Sequence, residues 1–136
     1  MGRPLDSDER AIVAVLLTKR FEGRDEIEAQ LTSVSADAIP GDPISLQLTV
    51  AADAPRAPVG DRVPTDGFGY DADGNLVGIN LHVLDGYASE LEFFVYESDL
   101  KYGVPIADTV KVAEWSEPDD SGTSFNLNPL PPVPPE

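Results

Sequence analysis

The sequence contains one histidine, His82, and the residues around it are the best candidates for chemistry. Asn80 precedes it by two positions, and Glu90 and Glu92 follow two positions apart in the next alternating segment. A spacing of two places side chains on the same face of a β-strand. We call Asn80, His82, Glu90 and Glu92 the polar row. A histidine beside carboxylates is the arrangement of a general base or of half a metal site.

The rest of the composition favours a binding role for the polar row. The chain has no cysteine and no recognisable nucleophile motif. A lone histidine on a regular strand is typically a solvated partner of side chains on the neighbouring strand. We therefore predict no catalytic residue, no metal ion and no cofactor. A small enzyme that uses His82 with Glu90 and Glu92 is the alternative.

The polar row lies in a segment, 76–96, that predicts a β-hairpin. Apolar residues alternate on both sides of a turn, as in half-buried strands; they are Val77, Ile79, Leu81 and Val83, then Tyr87, Leu91, Phe93 and Val95. A three-residue loop, 84–86, puts Gly86 in the left-handed conformation and both apolar rows on one face, and this is the loop that we predict. A two-residue Asp-Gly loop shifts the pairing by one position unless a bulge corrects it.

Two aromatic residues extend the outward face, which is the predicted face of the hairpin that carries the polar row and points away from the core. Phe94 and Tyr96 have the same parity as Glu90 and Glu92, so one end of this face is apolar. Such a surface is either covered by the chain itself, with Trp115 as the candidate cover, or open to a partner. We include Phe94 and Tyr96, the aromatic pair, among the candidate binding residues.

Two helices are predicted before the strands. Asp6 as N-cap and Glu9 three residues later form a capping box, and the first helix continues to Lys19. A second helix is predicted over 24–34, with Gln30 among the residues that face water.

The remaining segments predict a small antiparallel sheet. Strands are expected at 44–50 and 62–70, a proline-containing loop lies between them at 51–61, and a last short strand includes Val110 and Val112. The predicted fold is α+β, with two N-terminal helices packed across one face of a four- to five-stranded antiparallel meander.

Residues 71–75 superficially resemble a calcium loop. An EF-hand needs Gly at its sixth position and Glu at its twelfth, and Leu76 and His82 occupy these positions. We therefore predict a simple hairpin turn.

The net charge of −16 comes from 25 acidic and 9 basic residues, and after residue 24 there are 21 acidic side chains against four basic ones. Such a surface disfavours nucleic acid and suits a basic protein partner. Solubility or salt adaptation is the alternative explanation, since Asp outnumbers Glu 15 to 10 and lysine occurs three times.

The longest apolar run, 11–17, is shorter than the roughly 20 residues of a membrane span, so we expect no membrane insertion and a cytoplasmic location.

The 136 residues suit a single domain, which we place at 1–116. Residues 117–136 form an acidic and then proline-rich tail, for which polyproline II or disorder is predicted. The sequence leaves the oligomeric state open.

Several segments resemble a small uncharacterised bacterial domain family. The resemblance covers 8–106 and is most specific at the Asp-Gly-x-x-x-Glu-Leu-Glu segment that starts at Asp85. It implies an α+β fold in a bacterial protein, and it implies that the chain from Ala107 onward lies outside the shared domain. No activity, catalytic residue or cofactor is associated with the family.

Charge and patterning together favour a non-enzymatic acidic module that binds and neutralises a basic partner, such as a toxin, in the manner of an immunity protein. The polar row and the aromatic pair are its predicted contact surface.

Overall fold

The computed structural model describes residues 2–97 and 100–113. Within these ranges the chain forms two helices, six strands and one short 3-10 turn: α1 (Ser7–Leu16), α2 (Arg24–Thr32), β1 (Ser35–Ala38), β2 (Leu46–Thr49), β3 (Thr65–Tyr70), β4 (Leu76–Leu84), β5 (Tyr87–Phe94), the turn (Ala107–Thr109) and β6 (Lys111–Val112). The predicted α+β class is confirmed. Trp115 and the tail at 117–136 lie outside the described residues.

The strands form one antiparallel sheet in the order β1-β2-β5-β4-β3-β6. The predicted four- to five-stranded meander is therefore wrong in strand number and in order. Because β2 pairs with β5, the connection at 50–64 must pass to the other side of β4. It does so beside the β4–β5 turn, where the amide of Ala57 donates to the carbonyl of Gly86 at 2.9 Å. β1 was not predicted, since only Ala36 of its four residues is buried.

The capping box of α1 is confirmed. The Asp6 carboxylate accepts from the amide of Glu9 at 2.8 Å, and the Asp6 amide donates to the Glu9 carboxylate at 2.9 Å. The helix ends at Leu16, three residues before the predicted end, because the amides of Thr18 and Lys19 bond three residues back in a tighter turn. None of the helices within the described ranges is long and apolar enough to cross a membrane.

Buried side chains from both helices and from the sheet form a single hydrophobic cluster; it includes Ile12, Leu16, Ile27, Leu31, Ile79, Leu81, Leu91 and Phe93. Thr65 on β3 is completely buried, and its hydroxyl donates to the carbonyl of Leu16 at 2.8 Å, which joins the end of α1 to the sheet. That both helices cover one face of the sheet stays a prediction.

Gln30 does not face water, contrary to the prediction; its side chain is completely buried. Its amide nitrogen donates to the carbonyls of Pro55 at 2.7 Å and Gly86 at 2.8 Å, and its oxygen accepts from the amide of Ala88 at 2.8 Å. One side chain thus satisfies three backbone groups of a loop and a hairpin turn that come together only in the folded chain.

The β4–β5 turn has two residues, so the predicted three-residue loop is wrong. Leu84 lies opposite Tyr87, and Asp85 and Gly86 have φ of 54° and 87°, as a type I′ turn requires. A bulge follows, because Ser89 has no residue opposite it between the pairs Val83–Ala88 and His82–Glu90. The bulge corrects the register beyond it, so Leu91 and Phe93 are buried as predicted, whereas Ala88 takes the core position predicted for Tyr87.

Candidate functional site

Strands β4 and β5 bring the polar row together. His82 lies directly opposite Glu90, and Asn80 lies directly opposite Glu92. Side chains at directly opposed positions share a face of the sheet and lie within contact distance. The Ser89 bulge produces this register, and the Ser89 hydroxyl also donates to the carbonyl of His82 at 3.3 Å.

Hydrogen bonds fix one carboxylate of the polar row. The Oε1 atom of Glu92 lies 2.7 Å from Nε2 of His82, and it accepts from Nδ2 of Asn80 at 3.1 Å. The side chain of His82 is only 17% exposed, and its Nδ1 atom is buried without a hydrogen-bond partner among the described residues. The imidazole is therefore held in one orientation beside the two glutamates.

Three of these side chains lie close enough to share one ion. One potential ligand atom from each of His82, Glu90 and Glu92 lies within 4.8 Å of the other two. In the described part of the chain, no lysine or arginine forms a salt bridge with either glutamate.

More carboxylates lie on the same face than the sequence had indicated. Asp66 on β3 is directly opposite Asn80, so it borders the polar row. On the other side, Gln47 of β2 is opposite Glu90, and Asp37 of β1 is opposite Gln47. Sequence reasoning missed Asp66 and Asp37 because pairing between distant strands is not visible in local periodicity.

The aromatic pair lies next to the polar row. The rings of Phe94 and Tyr96 meet edge to face, with centroids 5.4 Å apart. Phe94 lies over Gly78, where an added Cβ would be 2.3 Å from the ring. A glycine within a strand is the signal for such a close approach, and it was present in the sequence. Tyr96 is 63% exposed, and Trp115, its predicted cover, lies outside the described residues.

The electrostatic effect of this face is visible at Tyr96. Partial burial raises the pKa of the Tyr96 phenol, and the nearby carboxylate of Asp66 raises that pKa further. The raised pKa favours the neutral phenol. Tyr96 therefore presents an uncharged aromatic ring beside acidic groups.

No protein-family model, curated protein or solved structure matches this chain. The resemblance to a bacterial domain family therefore stays a prediction.

Two clefts of about 400 Å³ lie elsewhere on the molecule. One is at the junction of the helices, where Arg24 already binds the carbonyl of Leu17 and the carboxylates of Asp25 and Glu28. The other is lined by residues 48–52, by Leu84 and by residues 87–89 at the start of β5. Neither cleft contains a residue of the polar row.

The loop at 71–75 is a hydrogen-bonded turn, as predicted. One oxygen of the buried Asp71 accepts from the amides of Asp73 and Asn75, and the other accepts from the Asn75 side chain and the amide of Gly103. Burial alone would raise the pKa of Asp71, but these hydrogen bonds outweigh it and hold the pKa below its usual 3.8. The carboxylate thus ties the turn to the segment that follows β5.

We expect Asp71→Asn to destabilise the fold by about 1–2 kcal/mol at neutral pH, because a neutral amide cannot accept all four bonds. A lowered folded-state pKa gives stability that is present above the unfolded pKa of about 3.9 and lost as pH falls through the folded value. The difference between wild type and variant should therefore shrink below about pH 4 in urea denaturation. Asp73→Asn, at an exposed neighbour, is the control, and a difference that is constant with pH contradicts this role.

Proposed function

We propose that the protein is a non-enzymatic binding module whose outward sheet face takes a basic protein partner. The observation that carries the proposal is the concentration of carboxylates on this face, from Asp37, Asp66, Glu90 and Glu92, with no lysine or arginine salt bridge to either glutamate in the described residues. A partner's cations can pair with these two glutamates, which no described lysine or arginine does.

A sheet is a suitable support for such recognition. Strands hold the polar row in fixed register, so little conformational entropy is lost when a partner binds. The acidic surplus after residue 24 attracts a basic partner over a distance and speeds its association. Neutralisation of a basic toxin, in the manner of an immunity protein, is the role that fits this chemistry.

The aromatic pair adds a contact for individual cationic side chains. Tyr96 is largely exposed and lies close enough to Asp66 for the carboxylate to affect its pKa. An arginine guanidinium can stack on the ring while it pairs with a carboxylate, and both interactions favour arginine over neutral side chains. We therefore expect arginine-rich segments to bind better than lysine-rich ones.

One observation favours an enzyme instead. The contact of 2.7 Å between His82 and Glu92 resembles that of a base held by a carboxylate. An enzyme also needs a cavity that encloses its substrate, and neither of the two 400 Å³ clefts lies at this contact. The open acidic face supports the binding module better.

The test uses a short synthetic arginine-rich peptide as the probe and measures association kinetics at several salt concentrations. Wild type should bind more slowly and more weakly as salt rises, since exposed charges are screened beyond about 8 Å at physiological ionic strength. Glu90→Lys with Glu92→Lys should slow association by about tenfold or more.

The control carries the same charge change away from the sheet face, as Glu22→Lys with Asp53→Lys; both residues are exposed. It should slow association much less than the change at Glu90 and Glu92. NMR shift changes on peptide addition should be concentrated on β4 and β5. Equal effects of the two double variants, or shifts scattered over the acidic surface, contradict the proposed site and favour a solubilising or salt-adaptive role.

A further inference from the structure

We infer that His82, Glu90 and Glu92 form a binding site for one divalent transition-metal ion, with zinc as the reference metal. This inference goes beyond the proposed binding of a basic partner and does not depend on it. It concerns the same face of the sheet, so the two properties affect each other.

Geometry is the first argument. The three potential ligand atoms lie within 4.8 Å of one another. A tetrahedral zinc ion with ligands at about 2.0–2.2 Å needs ligand atoms roughly 3.3–3.6 Å apart. The Nε2 atom of His82 and the Oε1 atom of Glu92 are 2.7 Å apart, so these two atoms must separate by about 1 Å, while longer separations must shorten. Both glutamates are only partly buried, so rotation of their side chains allows these movements.

The donor set is the second argument. One imidazole nitrogen with two carboxylate oxygens suits zinc and its first-row neighbours, whereas calcium and magnesium prefer oxygen ligands alone. Among the described residues, no lysine or arginine forms a salt bridge with Glu90 or Glu92. A dication therefore balances their charge, and three protein ligands leave a fourth position open.

The surroundings of His82 are the third argument. Its ring is mostly buried, its Nε2 atom faces the carboxylate of Glu92, and its buried Nδ1 atom has no protein partner in the described part of the chain. The Nε2 atom, which faces Glu92, is therefore the nitrogen that would bind the ion, and the mostly buried ring holds it in place. Asn80 donates to Glu92 and so orients this ligand from the second layer, as partners behind metal ligands do.

The chain has one histidine, so the test has an unambiguous signal. Zinc chloride alone is titrated into the full chain, with calorimetry for stoichiometry and NMR for the ring protons of His82. We expect one zinc ion per chain and a shift of the His82 resonances that ends at the same equivalence point. Magnesium at the same concentrations should leave these resonances unchanged.

Variants distinguish zinc binding at these three ligands from non-specific attraction of zinc to the acidic surface. His82→Gln and Glu90→Gln should each weaken zinc binding by at least about tenfold. Glu22→Gln with Asp53→Asn, which removes two exposed acids elsewhere, should not. Zinc that binds equally well to His82→Gln, or that binds without moving the histidine resonances, overturns the inference; far-UV circular dichroism verifies that each variant is folded.

The link to the proposed function is a separate measurement. Zinc offsets the charge of the two glutamates, so a saturating concentration should slow association of the arginine-rich peptide several-fold. If zinc does not bind, the metal site is refuted, and binding of the peptide to the metal-free protein still tests the proposed function. If zinc binds and the basic peptide does not, the metal site is supported and the proposed function is refuted.

Discussion

Replacement of Gln30 by methionine should lower the free energy of unfolding by about 3–4 kcal/mol, since it removes three hydrogen bonds to backbone groups, two of them buried, at about 1–3 kcal/mol each. Methionine has nearly the same length and volume, so packing changes little. The groups that lose a hydrogen bond are the carbonyls of Pro55 and Gly86 and the amide of Ala88. The Gly86 carbonyl keeps its bond from the amide of Ala57, so the expected loss of unfolding free energy is smaller than for three groups without any partner.

Urea denaturation followed by far-UV circular dichroism measures this loss as a lower midpoint with an unchanged slope. Gln47→Met is the matched control, because Gln47 is exposed on β2 and should change stability by no more than about 0.5 kcal/mol. If the two variants were equally stable, Gln30 would not join α2 to the hairpin.

The substitution of Gly86 by valine should cost about 3 kcal/mol, for two separate reasons. The backbone φ of Gly86 is 87°, which is strained for a β-branched residue. In addition, an added Cβ would lie 2.6 Å from Cγ of Arg56 and 2.7 Å from the carbonyl oxygen of Ala57. The second contact is with backbone, so relief requires a shift of the whole loop.

Gly74→Val isolates the first of these reasons. Gly74 has a φ of 83°, and nothing lies within 4 Å of its added Cβ. We expect this control to cost only about 1–2 kcal/mol, from backbone strain alone. Thermal denaturation compares the two variants, and equal losses would mean that 56–57 does not pack on the turn.

Both substitutions act on hydrogen bonds and contacts next to the bulge that sets the register of the polar row. The carbonyl of Gly86 accepts from Ala57 and from Gln30, and the next bond of Gln30 is to Ala88, just before the Ser89 bulge. We therefore expect the two effects to be non-additive in the double variant. The buried side chain of Gln30 thus contacts the turn and the residue that precedes the bulge.

Sequence periodicity alone determined the local features. The alternation at 76–83 predicted that Val77, Ile79 and Leu81 would be buried, and all three are. The capping box at Asp6 and Glu9 was equally local, because the two side chains bond to each other's backbone within one turn. Such features depend on neighbours in the chain, so they could be read before any tertiary structure was known.

The tertiary structure alone decided which strands meet and how they are aligned. Alternation says which face of a strand is apolar, but it does not say which strand lies beside it, so the pairing of β2 with β5 and the position of Asp66 beside Asn80 were not predictable. A single unpaired residue, Ser89, then set the register that puts His82 opposite Glu90. The buried role of Gln30 was hidden for the same physical reason, since its hydrogen-bond partners, Pro55, Gly86 and Ala88, are distant in sequence and approach it only when the chain folds.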